Sequence, residues 1–272
     1  MKTILITGAS SGIGRATALY FQQQGWNVVA TMRDPSKERE LQKLDCVTVI
    51  RLDVTDRESI DRAVSQVIDK FGNLDVLLNN AGYGLAGALE AVEPSQLERQ
   101  FATNVYGVVY TIQACLPHFR RQSSGLIINV SSIGGRLVLP FNSLYHGTKF
   151  AVEGISESLA IELAPHNIRV KIIEPGGVKT DFSGRSLDLM QKEGLTAYDE
   201  SIQKVMQAFT DPQRQSQYSE AADIAKIIYN AATDDTDKLR YIAGKDAEAM
   251  AEERYQMSDE EYSRWAIDNF NL

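Results

Sequence analysis

The sequence predicts an α/β fold, a doubly wound parallel sheet (Rossmann fold) in a single domain spanning residues 1–272. Three observations carry this. Short aliphatic and β-branched runs alternate with helical patterns along the chain, which is the signature of βαβ units and parallel strands. The opening run enters a glycine-rich turn, Thr7-Gly8-Ala9-Ser10-Ser11-Gly12-Ile13-Gly14, and then a helical pattern. No linker, repeat or low-complexity stretch interrupts the 272 residues, and 43% hydrophobic content is ample for one large core.

Taken in order, Thr3 to Thr7 read as a short buried strand rich in β-branched residues. The helix after the glycine turn runs through Gln24 and stops at Gly25. A glycine turn between strand and helix lets backbone N–H groups approach a phosphate where the helix dipole also favours an anion. The spacing is G-x-x-x-G-x-G rather than the commoner G-x-G-x-x-G. Asn27 to Met32 form the second strand and Val47 to Leu52 the third, with Asp53-Val54 at its end. Thr55-x-x-Glu58 reads as a capping box opening a helix to Phe71, closed by Gly72. Leu74 to Leu78 make the fourth strand, ending in Asn79-Asn80-Ala81-Gly82, and Ser95-x-x-Glu98 is a second capping-box candidate. Val105, Val109, Ile112, Leu116 and Phe119 recur at helical spacing from Asn104 to about Arg121. Leu126 to Val130 give the fifth strand, and a long helix runs from near Ser143 to near Pro165. Ile168 to Ile173 are the sixth strand, ending in Glu174-Pro175-Gly176. Ser219 to Ala232 read as a helix, and Tyr241-Ile242-Ala243-Gly244 as the last strand.

Charge and composition exclude several function classes. The net charge is −8 and the pI about 5.0; no basic stripe is present to neutralise phosphates, so nucleic acid is not an expected partner. Cys46 and Cys115 lie far apart in no ligand pattern, so neither a disulfide framework nor a metal site is expected. His118, His146 and His166 are isolated and read as ordinary surface or helix-end residues. The first residues are not a signal peptide, and no apolar run reaches the length of a membrane span. A cytoplasmic protein is the expectation.

The chemistry concentrates in Ser132 to Lys149. Tyr145-x-x-x-Lys149 on a helix puts a phenol and an ammonium on one face, about one turn apart. A nearby positive charge favours the phenolate, which makes the two a plausible proton-transfer pair. At the end of the second strand, an acidic residue would hold a ribose 2′-hydroxyl and repel a 2′-phosphate. Here Met32 is followed by Arg33, whose guanidinium suits a phosphate, so NADP is expected over NAD; Asp34 comes one residue later.

Together these residues resemble the short-chain dehydrogenase/reductase family. The matching positions are Thr7-Gly8-x-x-x-Gly12-Ile13-Gly14, Asp53-Val54, Asn79-Asn80-Ala81-Gly82, Asn104, Ser132, Tyr145-x-x-x-Lys149 and Pro175-Gly176-x-x-x-Thr180, in the family's order over roughly residues 1 to 185. Gly134-Gly135 through Ser156-Glu157-Ser158-Leu159 is most similar to the hydroxysteroid and retinol dehydrogenase branch. The resemblance implies a catalytic tetrad of Asn104, Ser132, Tyr145 and Lys149. Tyr145 would pass a proton to or from the substrate oxygen. Lys149 would lower the tyrosine pKa and bond the nicotinamide ribose. Ser132 would hydrogen-bond the substrate oxygen as negative charge builds there, and Asn104 would bend its helix and support a proton relay. Gly8, Ser10, Ser11, Gly12 and Ile13 would face the pyrophosphate and 2′-phosphate region, with Arg33 on the 2′-phosphate. Asp53 and Val54 would flank the adenine and Asn80 and Ala81 the ribose. Pro175 and Gly176 open the loop whose Val178 and Thr180 would meet the nicotinamide amide. Gly147-Thr148 stands where the family usually has Ala-Ser.

Residues 182–218 are rich in Leu, Met, Tyr and Phe; by resemblance they are a substrate lid, while core-facing amphipathic helices would read the same way. The acidic tail, 246–272, holds a good helix start at Ser258-x-x-Glu261 and an apolar set of Trp265, Ile267 and Phe270. Those residues would fold over the pocket, dock on a partner subunit or pack locally. The expected protein is an NADP(H)-dependent oxidoreductase of a carbonyl or secondary alcohol, working as a homo-oligomer (dimer or tetramer). A non-catalytic NADP(H)-binding sensor is the alternative, and a redox epimerase a third.

Overall fold

The computed structural model describes residues 1–180 and 186–272. From β1 (Thr3–Ile6) the chain enters α1 (Gly12–Gln23), returns as β2 (Asn27–Met32) and β3 (Val47–Arg51), and crosses by α2 (Arg57–Phe71) to β4 (Val76–Asn79). A short strand, β5 (Gly84–Gly87), precedes α3 (Pro94–Phe101), one wide π-type turn (Ala102–Tyr106) and α4 (Gly107–Gln122). Then come β6 (Gly125–Val130), α5 (Ser143–Leu163) and β7 (Ile168–Pro175). The remainder supplies β8 (Val178–Lys179), β9 (Leu187–Met190), α6 (Asp199–Thr210), α7 (Pro212–Ser216), β10 (Ser219–Glu220), α8 (Ala221–Thr233), β11 (Arg240–Ala243), α9 (Lys245–Tyr255) and α10 (Asp259–Asn269).

Seven strands form one parallel sheet in the order β11-β7-β6-β4-β1-β2-β3. The order reverses between β1 and β4, and that switch point opens a crevice outside the strand C-termini. Alternation along each strand sends side chains to opposite faces. Ile4 and Ile6 thus join Phe21, Val28, Ile128, Ile224 and Ile228 on the α1/α8 side. Leu5 joins Val29, Leu77, Ile127, Ile112, Phe119 and Val152 on the α2/α4/α5 side. Most residues of the central strands are buried, as expected when helices cover both faces, while the edge strand β3 is only partly covered.

Local signals resolve with small shifts. The helix start expected at Thr55-x-x-Glu58 is one residue later: Asp56 is the N-cap and accepts from the Ser59 N–H, while Thr55 is tied to the Asp53 carboxylate. Gly72 closes that helix in the left-handed region, φ 74°. The box expected at Ser95-x-x-Glu98 is instead Glu93 with Gln96, with Pro94 opening the helix. Proline at the first helical position fixes where the helix begins, and the residue before it must be the cap. The Ser258–Glu261 box forms as expected.

The tail folds back on the body. Ala247, Ala251 and Tyr262 pack with Ile133 and Leu137, directly after Ser132, and the Tyr262 hydroxyl donates to the Val138 carbonyl at 2.7 Å. Phe270 is buried against Phe209 and Trp265 stacks on Tyr262, while Ile267 stays half exposed. Of the expected lid, residues 182–185 lie outside the described residues. No described helix is long and apolar enough to cross a membrane.

Candidate active site

One cavity of about 1800 Å³ occupies the switch-point crevice and extends under β9, α6 and the tail. Every residue expected to touch a dinucleotide lines it: Gly8, Ser10, Ser11, Gly12, Ile13, Arg33, Asp53, Val54, Asn80, Ala81, Tyr145, Lys149, Pro175, Gly176, Val178 and Thr180. Ser132 lines it too. Asn104 does not; it lies behind the wall, 2% exposed.

The glycine turn is built by close approach. Gly8 sits at φ 68°, and a Cβ there would fall 2.9 Å from the Ala81 Cα. A Cβ on Gly14 would lie 2.5 Å from both the Asn80 Nδ2 and the Gly8 carbonyl oxygen. Asn80 spends its amide on this turn, donating to the Thr7 and Gly8 carbonyls at 2.9 and 3.1 Å. The Thr7 hydroxyl in return accepts from the Asn80 and Ala81 N–H groups at 3.0 and 3.1 Å. The TG and NNAG segments are therefore one locked unit. At the end of β2, Arg33 is exposed at the cavity rim. Asp34 turns to its own loop, accepting from the Ser36 N–H and hydroxyl at 3.1 and 2.6 Å.

At the inner end, the wide turn Ala102–Tyr106 carries Asn104 inward. Its amide donates to the Tyr83 carbonyl at 2.9 Å and the Thr148 hydroxyl at 3.2 Å, and its oxygen accepts from the Tyr83 N–H at 3.1 Å. Thr148, the departure from the family's serine, keeps the hydroxyl that makes this bridge. On α5, the Lys149 ammonium lies 5.7 Å from the Tyr145 ring centroid and donates to the Val130 carbonyl at 3.0 Å. Ser132 hydrogen-bonds the Tyr145 phenol. Its hydroxyl oxygen also accepts from the Gly134 N–H at 3.0 Å.

Burial pushes the Tyr145 phenol above its ordinary range, against the Ser132 bond. Lys149 is itself held down to about 8 by burial, against the pull of Glu153, and its ammonium is turned to Val130. Beside Pro175, Glu174 is pushed up to about 7 by burial and by Glu153, against Arg136 and Arg240.

Of the three histidines expected at surface or helix-end positions, His118 near the end of α4 and His146 in α5 are buried. His118 accepts from the Leu74 N–H, and His146 lines the cavity next to Tyr145; only His166 is exposed. The sequence reading also passed over Asp246, which accepts from the Gly177 N–H at 2.6 Å and so ties the tail to the Pro175–Thr180 loop. Nothing in the local sequence pattern marked either residue, because both act on backbone distant in sequence. Both cysteines are free, and no described group of side chains could hold a metal.

Fold and crevice define the class: a doubly wound α/β protein with a large cleft at its switch point, closed at its inner end by tyrosine, serine and lysine. A family model described as short chain dehydrogenase matches residues 2–190, and the chain belongs to that family of oxidoreductases. It is 42% identical over 218 residues to an uncharacterized oxidoreductase of Schizosaccharomyces pombe, covering 78% of this chain and 88% of that one. It is 44% identical over 182 residues to the 3-ketodihydrosphingosine reductase of Bacteroides thetaiotaomicron, covering 67% and 66%. To human retinol dehydrogenase 8 it is 40% identical over 195 residues, covering 68% and 62%. Among solved structures, a short-chain dehydrogenase from Streptomyces avermitilis superposes with a TM-score of 0.83 at 34% identity, covering 99% and 96%. ElxO with NADP bound gives 0.72 at 31%, covering 89% and 97%. A 3-ketoacyl-(acyl-carrier-protein) reductase from Brucella melitensis complexed with NADH gives 0.75 at 28%, covering 89% and 96%.

Proposed function

We propose that the protein is an NADP(H)-dependent reductase or dehydrogenase acting on a fairly apolar carbonyl or secondary alcohol. The observation that carries this reading is the convergence of Ser132, Tyr145, Lys149 and the Pro175–Thr180 loop on the cavity that the glycine turn opens. The residues present suit the dinucleotide. The crowded, Cβ-free turn at Gly8 and Gly14 leaves backbone and the Ser10 and Ser11 hydroxyls at the cavity wall, beside the N-terminus of α1. Arg33 at the rim, with Asp34 engaged elsewhere, favours a 2′-phosphate over a free hydroxyl. The NADP-bound ElxO and the NADH-bound Brucella reductase mark both cofactors as within reach of this fold.

When bound, the nicotinamide supplies or accepts the hydride. Ser132 orients the substrate oxygen. Burial favours the protonated Tyr145 phenol, which gives that oxygen a proton during reduction and is left as phenolate; in the oxidation direction it is the phenolate that takes the alcohol proton. Lys149 holds a positive charge against the ribose and the phenol. Asn104 fixes Tyr83 and Thr148, and so the spacing between the NNAG loop and α5. The apolar wall from Leu187, Met190, Ile202, Met206, Phe209 and Trp265 supports the described part of the expected lid, residues 186–218, and the tail as the substrate enclosure. The apolar chemistry of the retinol dehydrogenase and ketosphingosine reductase names fits such a wall. Exposed Leu97, Tyr106, Phe150 and Ile161 on α3, the wide turn and α5 favour a homo-oligomer, and the cytoplasm is its proposed setting.

The test is NADPH consumption against carbonyls graded from small aldehydes to steroid- and retinoid-sized compounds, with NADH in parallel. Turnover rising with substrate size is the expected result. NADPH binding without turnover anywhere on the panel would favour the sensor reading.

A further inference from the structure

His146 is one residue beyond Tyr145, 5% exposed, and its ring makes two hydrogen bonds to the backbone of the segment that follows Ser132. The Leu139 N–H lies 2.9 Å from Nε2, and the Gly134 carbonyl lies 2.7 Å from Nδ1. A backbone N–H can only donate, so Nε2 must be unprotonated. A carbonyl can only accept, so Nδ1 must carry the proton. The two backbone partners thus dictate a neutral imidazole with its hydrogen on Nδ1. The ring spans the excursion from Gly134 to Leu139 like a staple. Gly134 has no room for a side chain: a Cβ there would fall 2.7 Å from Nδ1 and 3.3 Å from the Ser132 hydroxyl.

What the staple holds is functional ground on three sides. The Gly134 N–H donates to the Ser132 hydroxyl, so the stapled residue helps to aim the serine, together with the Pro175 carbonyl at 3.4 Å. Leu139 lines the cavity. Between them, Leu137 and the Val138 carbonyl receive the tail through Ala247, Ala251 and Tyr262.

We infer that His146 is a positioning residue for Ser132, holding the 134–139 segment in place only while its imidazole is neutral. This rests on the function proposed above. Protonating Nε2 turns it from acceptor to donor and sets it against the Leu139 N–H, so that bond must break. Burial holds the ring below its ordinary range, which keeps it neutral at physiological pH. The unfolded chain takes up the proton first, so the staple is stable above about pH 6.5 and is undermined as pH falls below that. Among the described residues, Tyr145 is the titratable group facing the ring, with centroids 5.9 Å apart. Lys149 and Glu153 lie about one and two turns further along α5, and Gly134 and Leu139 bring no charge.

The experiment pairs a pH profile with a direct reading of the ring. In the wild type, kcat for the best carbonyl of the panel should fall on the acid side, at a pH below the ordinary histidine range because burial makes the ring harder to protonate. His146→Gln should lower kcat at pH 7.5 about tenfold, the scale of one lost hydrogen bond. It should also remove the acid limb and leave the NADPH Kd, read by fluorescence titration, within about twofold. An acid limb that persists in His146→Gln, or an NADPH Kd that rises in step with the loss of kcat, overturns the proposal. Nitrogen-15 NMR of the wild-type histidines needs no variant and covers the case in which the glutamine protein does not fold. A neutral Nδ1–H tautomer whose protonation coincides with the acid limb supports the assignment, and an Nε2–H tautomer refutes it. Absence of turnover at every pH with the Nδ1–H tautomer present would instead count against the proposed function.

Discussion

The two walls of the cavity are made by different means. On the glycine-turn side, small residues and short polar side chains lock backbone to backbone: Gly8 against Ala81, Gly14 against Asn80, and the Thr7 hydroxyl under two N–H groups. On the roof side, β9, α6 and the tail contribute Leu, Met, Phe and Trp, held by apolar contact and a few long-range bonds such as Tyr262 to Val138. A locked wall admits few substitutions and takes one ligand shape. A wall of aliphatic and thioether side chains tolerates exchange of one residue for another of similar volume. The solved neighbours hold NADP in one case and NADH in another, while the relatives are named for different substrates, so each wall suits the ligand proposed for it.

The sharpest way to break that comparison lies where the walls meet. Tyr145→Phe removes only a hydroxyl and should cut turnover on the order of a thousandfold, within the range of general acid catalysis; NADPH fluorescence titration should still show binding. Normal turnover would remove Tyr145 from the chemistry. Next in size is Gly14→Ala. One methyl forced against the Gly8 carbonyl and the Asn80 amide should cost about 2–3 kcal/mol of stability by overpacking, read as a lower urea midpoint, and should weaken NADPH. Unchanged stability would mean that the turn is not locked. Arg33→Ala should weaken NADPH by about 10- to 100-fold, the worth of a charge-assisted bond to phosphate, and NADH far less. Equal losses would take the 2′-phosphate away from Arg33. The smallest effect belongs to the roof: deleting residues 256–272 should raise KM for the largest carbonyls by about tenfold or less, with NADPH affinity preserved. An equal loss for small and large substrates would make the tail a structural prop.

The uneven legibility of the sequence follows the same divide. The glycine turn, NNAG, Ser132, Tyr145 and Lys149 announce themselves because their chemistry requires particular residue types at particular spacings. The sheet was legible because burial on both faces makes its central strands runs of Ile, Leu and Val, with few polar side chains such as Asn79, Asn129 and Lys171 among them. His146 was not: a lone histidine on a helix carries no mark until the chain brings the carbonyl of Gly134 and the N–H of Leu139 to its two nitrogens. Asp246 was hidden for the same reason, since its partner Gly177 lies 69 residues away. The helix starts at Asp56 and Glu93 were misplaced by a residue or two because several nearby side chains could cap, and only tertiary position chooses. Spacing on a helix reports proximity and not desolvation, so the burial that pushes the Tyr145 phenol up was not legible in Tyr145-x-x-x-Lys149.

The wide turn at Ala102–Tyr106 has a geometric consequence of its own. Gln96, Gln100, Asn104, Val108 and Ile112 are buried at a step of four, with Val105, Gly107 and Thr111 buried beside them. An ordinary helix advances about 100° per residue, so over those sixteen residues its inward stripe would precess by about 160°. Ile112 would then face nearly away from the side that holds Gln96. A turn closed by a bond to the fifth residue unwinds the rod locally and gives most of that angle back. It is a vernier: one slackened coil brings two rods into phase, so that the first can reach the Tyr83 loop and the second the sheet, with Asn104 at the point of adjustment.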